Sequence, residues 1–478
     1  MIRRLLPILL LMVVTVVALY QATLPPTRPD ALTYAPLVFE PPVVESLQLP
    51  NGITLYLRED HELPLVEITA LVGAGSITDA ADKTGQSTLF AALLRDGGAG
   101  SRDPVTFSDY LEKYAIDLSV STDSYATVID LSLLADDLDV GLNILDDLLR
   151  RPRFDADRLE ILRQQMLESI RRQNDLPASI ADRGLDQAVF GDHPFGRTPT
   201  VASINALSRA DLMAFQERYF VPDNLCLAIS GAFNREDLIT RLQQHFANWS
   251  SNGFRAEAIP PLLPSLPAAV WLANKEVPQT TVRLGALGIS KDNPDLQAVR
   301  LMNFILGGGG FNSRLMSEIR SSRGLAYSVY SYYAIGRRLP GPFVAGGETA
   351  TGSTLEMVRL ILAEMERIRT EPVSAEELAL AKESLINSFV FAFDDPHDVL
   401  TQKMRLDFYG YPSDYLESYR DKVAAVTTAD VLRVAKAYLN PQQMAIVLVG
   451  ATDEFAAGAA DFGLPVQWLS PSGHEGAP

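Results

Sequence analysis

Tyr219-Phe220-Val221-Pro222 and Tyr438-Leu439-Asn440-Pro441 stand 219 residues apart, and neighbouring segments repeat at the same offset. Ala210-Asp211-Leu212 precedes the first as Ala429-Asp430-Val431 precedes the second, and Gly231-Ala232 follows the first as Gly450-Ala451 follows the second. Pro177, just after Asn174-Asp175, pairs with Pro396, just after Asp394-Asp395. Independent matches at one offset indicate a single large domain duplicated in tandem. A solenoid would instead repeat with a period of roughly 20–50 residues.

Hydrophobic patterning gives both copies the same α+β character. In the first, a turn and strand run through Leu49-Pro50-Asn51-Gly52-Ile53-Thr54-Leu55-Tyr56-Leu57, and Leu65–Val72 is a second strand. A helical pattern follows near 84–95, then strand-like stretches at Leu118–Val120 and Ala126–Leu131. Helices are expected over 137–150 and 155–174, and from Ser208, an N-cap candidate, to Tyr219, before the apolar strand 225–231. The second copy repeats the order: strand 281–287, helix 293–306, strand 326–333, helices 352–369 and 374–393, strand 444–450. Runs of strands beside runs of helices predict a sheet with helices packed on one face.

The chain of 478 residues is long enough for large cores, and 47% hydrophobic with 21% charged residues is ordinary for a folded protein. A net charge of −18 argues against nucleic acid as a partner, because phosphate binding needs clustered Lys and Arg. The same acidity favours solubility and says nothing about substrate. Cys226 is the single cysteine, so no internal disulfide forms, and its apolar run Leu225–Ile229 marks it as a small core residue.

At the N-terminus, Arg3 and Arg4 precede an apolar run from Leu5 to Tyr20, and no further charge occurs until Arg28. The run has the length of a signal h-region and is slightly short for a bilayer span, which the uncharged residues beyond it extend. Val16-Val17-Ala18 is a cleavage-site candidate without a clean A-x-A pattern. Residues 1–22 are thus a signal-anchor, the favoured reading, or a signal peptide. Either way the body is exported, which implies a periplasmic protein tethered to the inner membrane if the segment is retained. The proline-rich stretch 23–44 is an extended tether. The remaining organisation is a first half over 45–250, a linker over 251–267, a second half over 268–455 and a loosely ordered tail over 456–478.

Several segments carry a family resemblance: Leu49-Pro50-Asn51-Gly52, Lys83-Thr84-Gly85, His193-Pro194-Phe195-Gly196, Ser230-Gly231, Leu306-Gly307-Gly308-Gly309 running to Ser313-Arg314-Leu315, and Arg323-Gly324-Leu325-Ala326-Tyr327-Ser328-Val329-Tyr330-Ser331. Over about residues 43–455 the chain resembles the M16 (pitrilysin/insulinase) peptidase family. The resemblance implies an α+β fold of two duplicated (LuxS/MPP-like) halves, each a mostly antiparallel sheet with helices on one face, closing around a peptide chamber.

Active members of that family carry His-x-x-Glu-His on the helix after the Thr-Gly. Two His four apart share one helix face and reach one Zn²⁺, while the Glu polarises a metal-bound water. Here Thr88 and Ala92 take the two His positions and Ala91 takes that of the Glu. The family's usual interval to the third ligand, another Glu, lands on Ser169, one residue past Glu168. A shift of register restores nothing, since no two of the five histidines (His61, His193, His245, His397, His474) lie within four residues. The resemblance therefore implies no zinc on this chain.

The family also uses an Arg at the end of a helix in the second half and a Tyr seven residues later, which bind the peptide backbone and stabilise the tetrahedral intermediate. Arg320 and Tyr327 fit that spacing, with Arg323 the neighbouring alternative. A guanidinium offers several donors to a carbonyl, and a phenol donates one hydrogen bond to an oxyanion. Gly307–Gly310 lacks the Lys-Ser/Thr of a phosphate loop, so a hinge or close backbone packing is expected there. Tyr327, Tyr330, Tyr332 and Tyr333 suit either core or chamber lining.

The favoured function is the zinc-free subunit of a heterodimeric peptidase: a zinc-bearing M16 partner brings the metal, this chain brings Arg320 and Tyr327, and the substrate is a peptide or unfolded polypeptide. The alternatives are a non-enzymatic scaffold of an envelope membrane complex and a stand-alone module that binds extended peptides by strand addition.

Overall fold

The computed structural model describes residues 41–251, 253–263 and 267–469. The signal-anchor segment, most of the tether, part of the linker and the end of the tail lie outside the described residues. Among the described residues no helix is long and apolar enough to cross a membrane.

The first half builds a six-stranded sheet from β1 (Ser46–Gln48), β2 (Thr54–Glu59), β3 (Leu65–Val72), β4 (Asp117–Thr122), β5 (Thr127–Leu134) and β6 (Leu225–Gly231), in the order β1-β2-β6-β3-β5-β4. The second builds another from β7 (Val270–Asn274), β8 (Gln279–Leu287), β9 (Ala326–Tyr333), β10 (Pro342–Ala350), β11 (Ala445–Gly450) and β12 (Val466–Trp468), in the order β12-β7-β11-β8-β10-β9. β2-β6-β3-β5-β4 and β7-β11-β8-β10-β9 have the same connectivity, so the duplication read from four short matches is a duplication of topology. Most neighbours are antiparallel; β2 runs parallel to β6, and β7 runs parallel to β11 and β12. β4 and β9 are the corresponding edges.

Each sheet buries one face under its own helices. In the first half Phe90 lies at the centre, its ring 4.7 Å from Phe215, 5.0 Å from Phe220 and 5.5 Å from Phe154. Burying one such ring is worth about 1.5–3 kcal/mol, and the cluster ties the helices Gln86–Asp96 and Arg209–Tyr219 to the turn at Phe154. In the second half Val282 and Leu284 of β8 meet Ile361, Met365 and Val431. Ser208 and Thr427, 219 apart, each cap a helix reciprocally with the Asp three residues on, so the matched Ala-Asp segments are capping boxes.

Some elements differ from the patterning. The helix expected over 293–306 is α-helical over Leu296–Asn303 and then widens to a π-helix over Phe304–Gly308. A side chain at Gly307 would overlap the Ser331 backbone nitrogen, so the wider turn lets the bare backbone press against β9. β10 escaped notice because Gly346 and Gly347 interrupt its apolar run. Both are required by contact: a Cβ at either would overlap a carbonyl oxygen of a neighbouring strand.

The opposite face of each sheet receives a helix from the other half. Pro177–Phe190 packs Ala181, Leu185, Ala188 and Val189 against Ala273, Val344, Ala445, Val447 and Val449 of the second sheet. Pro396–Phe408 packs Leu400 and Met404 against Tyr56, Leu71, Val128 and Ala228 of the first. The prolines opening these helices are the pair 219 apart. Each suits a first helical position, which has no partner for a backbone N–H.

Candidate functional site

The helix Gln86–Asp96 holds three of the four zinc-equivalent positions. Its start is fixed by Asp79, a buried side chain that accepts from the backbone N–H of Gly85 (3.0 Å) and Ser87 (3.0 Å) and from Ser87 Oγ (3.2 Å). Burial pushes the Asp79 carboxyl up to about 6, against the pull of those donors. Lys83 reaches Asp211 on the helix Arg209–Tyr219, which explains its place in the Lys-Thr-Gly segment. Leu89, Phe90, Leu93 and Leu94 face the core, leaving Thr88 exposed and Ala92 half-buried one turn apart on the outer face. Ala91 is buried; Ser169 is exposed on the helix Ala156–Arg172, which packs beside this one.

The chemistry of these residues does not fit a zinc ion. Two alanines offer no donor atom, and the hydroxyls of Thr88 and Ser169 are poor substitutes for imidazole and carboxylate. Glu168, the adjacent carboxylate, is taken by Arg171 at 3.2 Å. Among the described residues no group of three or more His, Cys, Asp or Glu is arranged to hold a metal ion.

Arg320 and Tyr327, in contrast, are brought together. Arg320 sits on a π-helix over Met316–Ser322, and Tyr327 is the second residue of β9. The β9–β10 ladder shifts register here: Val329 faces Gly347 while Ala326 faces Thr349. This bulge leaves Ala326 and Val329 both buried and turns Tyr327 outward, 84% exposed. The Arg320 guanidinium lies 4.8 Å from the Tyr327 ring centre and 4.4 Å from that of Phe311. Neither the guanidinium nor the Tyr327 hydroxyl makes a hydrogen bond or ion pair among the described residues, so their donors face solvent. Arg323 is the opposite case, paired with Glu318 (2.9 Å) and Glu356 (3.2 Å). Of the two, Arg320 is the one free to meet a ligand.

Supporting contacts hold this corner in place. Arg314 grips Glu377 with two hydrogen bonds of 2.7 and 3.0 Å, so the Ser-Arg-Leu segment is structural. Asn303 and Ser331 exchange hydrogen bonds of 3.2 and 2.9 Å, latching the turn that precedes the glycines to β9. Tyr333 is a core residue against Phe343, whereas Tyr330 and Tyr332 stack with rings 6.0 Å apart on the opposite face. Of the roles left open by the sequence, the core thus falls to Tyr333. The zinc-equivalent positions and the Arg320–Tyr327 pair rest on different cores, one per half.

Two features, one on this surface and one between the halves, escaped the sequence. Phe311 is 68% exposed directly after the glycine run, a setting whose signal was a large aromatic in an otherwise small and polar turn. His397 bridges the halves: Nε2 lies 2.9 Å from Thr69 Oγ1 and Nδ1 lies 2.8 Å from Ser230 Oγ. No local pattern marks a histidine whose partners are 167 and 328 residues away.

Fold and site together define a peptidase-like protein of two duplicated α+β halves, with an exposed donor pair on the second and Thr88, Ala91, Ala92 and Ser169 at the zinc-equivalent positions of the first. The profile described as Insulinase (Peptidase family M16) matches residues 55–200, and that described as Peptidase M16 inactive domain matches 206–385. The chain belongs to peptidase family M16. It is 24% identical to an uncharacterised zinc protease of Mycobacterium leprae, over 84% of this chain and 90% of that one. It is 26% identical to the non-peptidase homolog YmxG of Helicobacter pylori, over 83% of this chain and 91% of the relative. Among solved structures, the peptidase M16 inactive domain from Pseudomonas fluorescens superposes with a TM-score of 0.78 at 28% identity, covering 85% of this chain and 98% of that one. A protease from Helicobacter pylori shares the fold at a TM-score of 0.76 and 20% identity, covering 86% and 100%.

Proposed function

We propose that this chain is the zinc-free subunit of a two-chain M16 peptidase, in which a zinc-bearing M16 partner holds the metal and this chain offers Arg320 and Tyr327 to a peptide or unfolded polypeptide. The observation that carries the reading is the Arg320–Tyr327 pair: an unpaired guanidinium beside an exposed phenol, on a chain whose zinc positions are Thr88, Ala91, Ala92 and Ser169. Both groups are donors, so together they suit a ligand rich in acceptors, such as a run of peptide carbonyls. Arg320 would orient the backbone, and the Tyr327 hydroxyl would donate to the oxygen that gains charge as the carbonyl is attacked. The name non-peptidase homolog, borne by the Helicobacter pylori relative, agrees with a chain that does not cleave peptides by itself.

The test is Tyr327→Phe in the assembled pair. Loss of one oxyanion donor should slow peptide cleavage about 100-fold without dissociating the subunits. Cleavage at the full rate would show that Tyr327 has no such role. The reading extends to location: Arg3, Arg4 and the apolar run Leu5–Tyr20 support export with retention at the inner membrane, facing the periplasm. Protease accessibility of the chain in spheroplasts checks this, and protection until lysis would refute it.

A further inference from the structure

We propose that Phe311 is a positioning residue for Arg320: with Tyr327 it holds the guanidinium between two rings, so that the faces of the cation are occupied and its N–H edges stay open to a peptide acceptor. The proposal deepens the reading above by adding the residue that aims the arginine.

The argument starts from the turn. Gly307 is pressed on β9, where any side chain would overlap Ser331, and Gly310 has φ +57°, the left-handed region. These two constraints deliver Phe311 to the surface beside the π-helix that carries Arg320. A phenylalanine 68% exposed has little packing to justify it, and its ring instead lies 4.4 Å from the Arg320 guanidinium carbon. Tyr327 approaches the same carbon at 4.8 Å. Each distance is within the range of a cation–π contact, about 6 Å.

Such contacts constrain an arginine without using its hydrogen-bonding capacity. Attraction to a ring acts through the face of the planar cation, whereas its five N–H groups point outward in the plane. A carboxylate clamp would do the reverse, as Glu318 and Glu356 do for Arg323. Holding Arg320 by rings therefore orders a long side chain before the ligand arrives and leaves every donor available, which lowers the entropy lost on binding.

The experiment uses the full chain with isotope-labelled arginine, in the wild type and in Phe311→Leu, Phe311→Trp and Arg320→Ala. The Nε–Hε signal of Arg320, assigned by its absence in Arg320→Ala, should be displaced by ring currents in the wild type and in Phe311→Trp. In Phe311→Leu, which retains bulk and loses the π face, it should move toward that of a solvated arginine. An unchanged signal in Phe311→Leu overturns the proposal. In parallel, fluorescein-labelled β-casein serves as an unfolded probe for binding. Phe311→Leu should weaken its binding about two- to fivefold, with recovery in Phe311→Trp. If Arg320→Ala weakens binding and Phe311→Leu does not, Phe311 has no positioning role. If Arg320→Ala leaves binding unchanged, the peptide-contact reading falls, and the Arg320 signal alone decides the ring clamp.

Discussion

The His397 imidazole, on the helix Pro396–Phe408 of the second half, lies 2.9 Å from Thr69 Oγ1 on β3 of the first. Thr69 donates to Asp130 at 2.6 Å, so its oxygen accepts from Nε2–H. Nδ1 then accepts from Ser230 Oγ–H at 2.8 Å. Every proton in this chain is accounted for by a neutral imidazole, and burial depresses the pKa of His397 against the pull of Asp130, Asp395 and Asp398.

A pH dependence follows. The unfolded imidazole titrates near 6.5 and the folded one lower, so below that value the unfolded state binds a proton that the folded state refuses. Stability from His397 is therefore present above the unfolded pKa and lost as pH falls. His397→Gln should reduce the loss between pH ~7.5 and ~5.5 by about 1 kcal/mol, read from urea midpoints. Asp79 acts in the opposite sense, its stability falling as pH rises toward about 6, but it is common to both proteins and cancels. An equal loss in the variant would remove His397 from the account.

Asp211 should reveal itself in acid. Burial alone would raise its carboxyl, but Lys83 and Ser208 hold it at about 2. This stability is full above the unfolded value of 3.8 and disappears as pH falls through the folded one. Lys83→Met should cost about 1–2 kcal/mol at pH ~7 and only a few tenths of a kcal/mol, about 0.3, at pH ~2. A cost that stays constant over that range would point to lost packing of the lysine stem instead.

Arg283 ties the halves together from the other side. It is nearly buried on β8, donating to Asp182 of the exchanged helix at 2.8 Å and to Glu348 of β10 at 3.2 Å. Arg283→Met should destabilise the protein by about 2 kcal/mol in urea unfolding, whereas Asp182→Asn, at an exposed partner, should cost less than about 1 kcal/mol. The reverse order would place the stabilisation in the exposed acid.

The zinc correspondence can be tested by restoring it. A variant carrying Thr88→His, Ala91→Glu, Ala92→His and Ser169→Glu should retain about one zinc per chain after dialysis against trace metal, while the parent retains almost none. A folded variant that binds no zinc would mean that the three ligand positions 88, 92 and 169 do not converge.

Repetition and capping were legible in the chain because they depend on near neighbours. Ser208 was legible as an N-cap ahead of its helix, and the strand Leu65–Val72 has the bounds its apolar run gives it. β10 was hidden because its glycines answer to carbonyls on other strands, which no local pattern records. At the site, Arg320 and Tyr327 came from the resemblance, by fitting the family's Arg–Tyr spacing of seven residues; that Glu318 and Glu356 claim the neighbouring Arg323 is visible only in the structure.

What the sequence by itself determined is the duplication, the α+β class and the absence of any ligand atom at Ala91 and Ala92, since each rests on residue identity and spacing. An alanine has no donor atom in any fold. The tertiary structure alone decided that the helices opened by Pro177 and Pro396 cross to each other's sheets, that His397 meets Thr69 and Ser230, and that Phe311 closes on Arg320. Those contacts join residues far apart in the chain, and their free energy exists only once the packing that brings them together has formed.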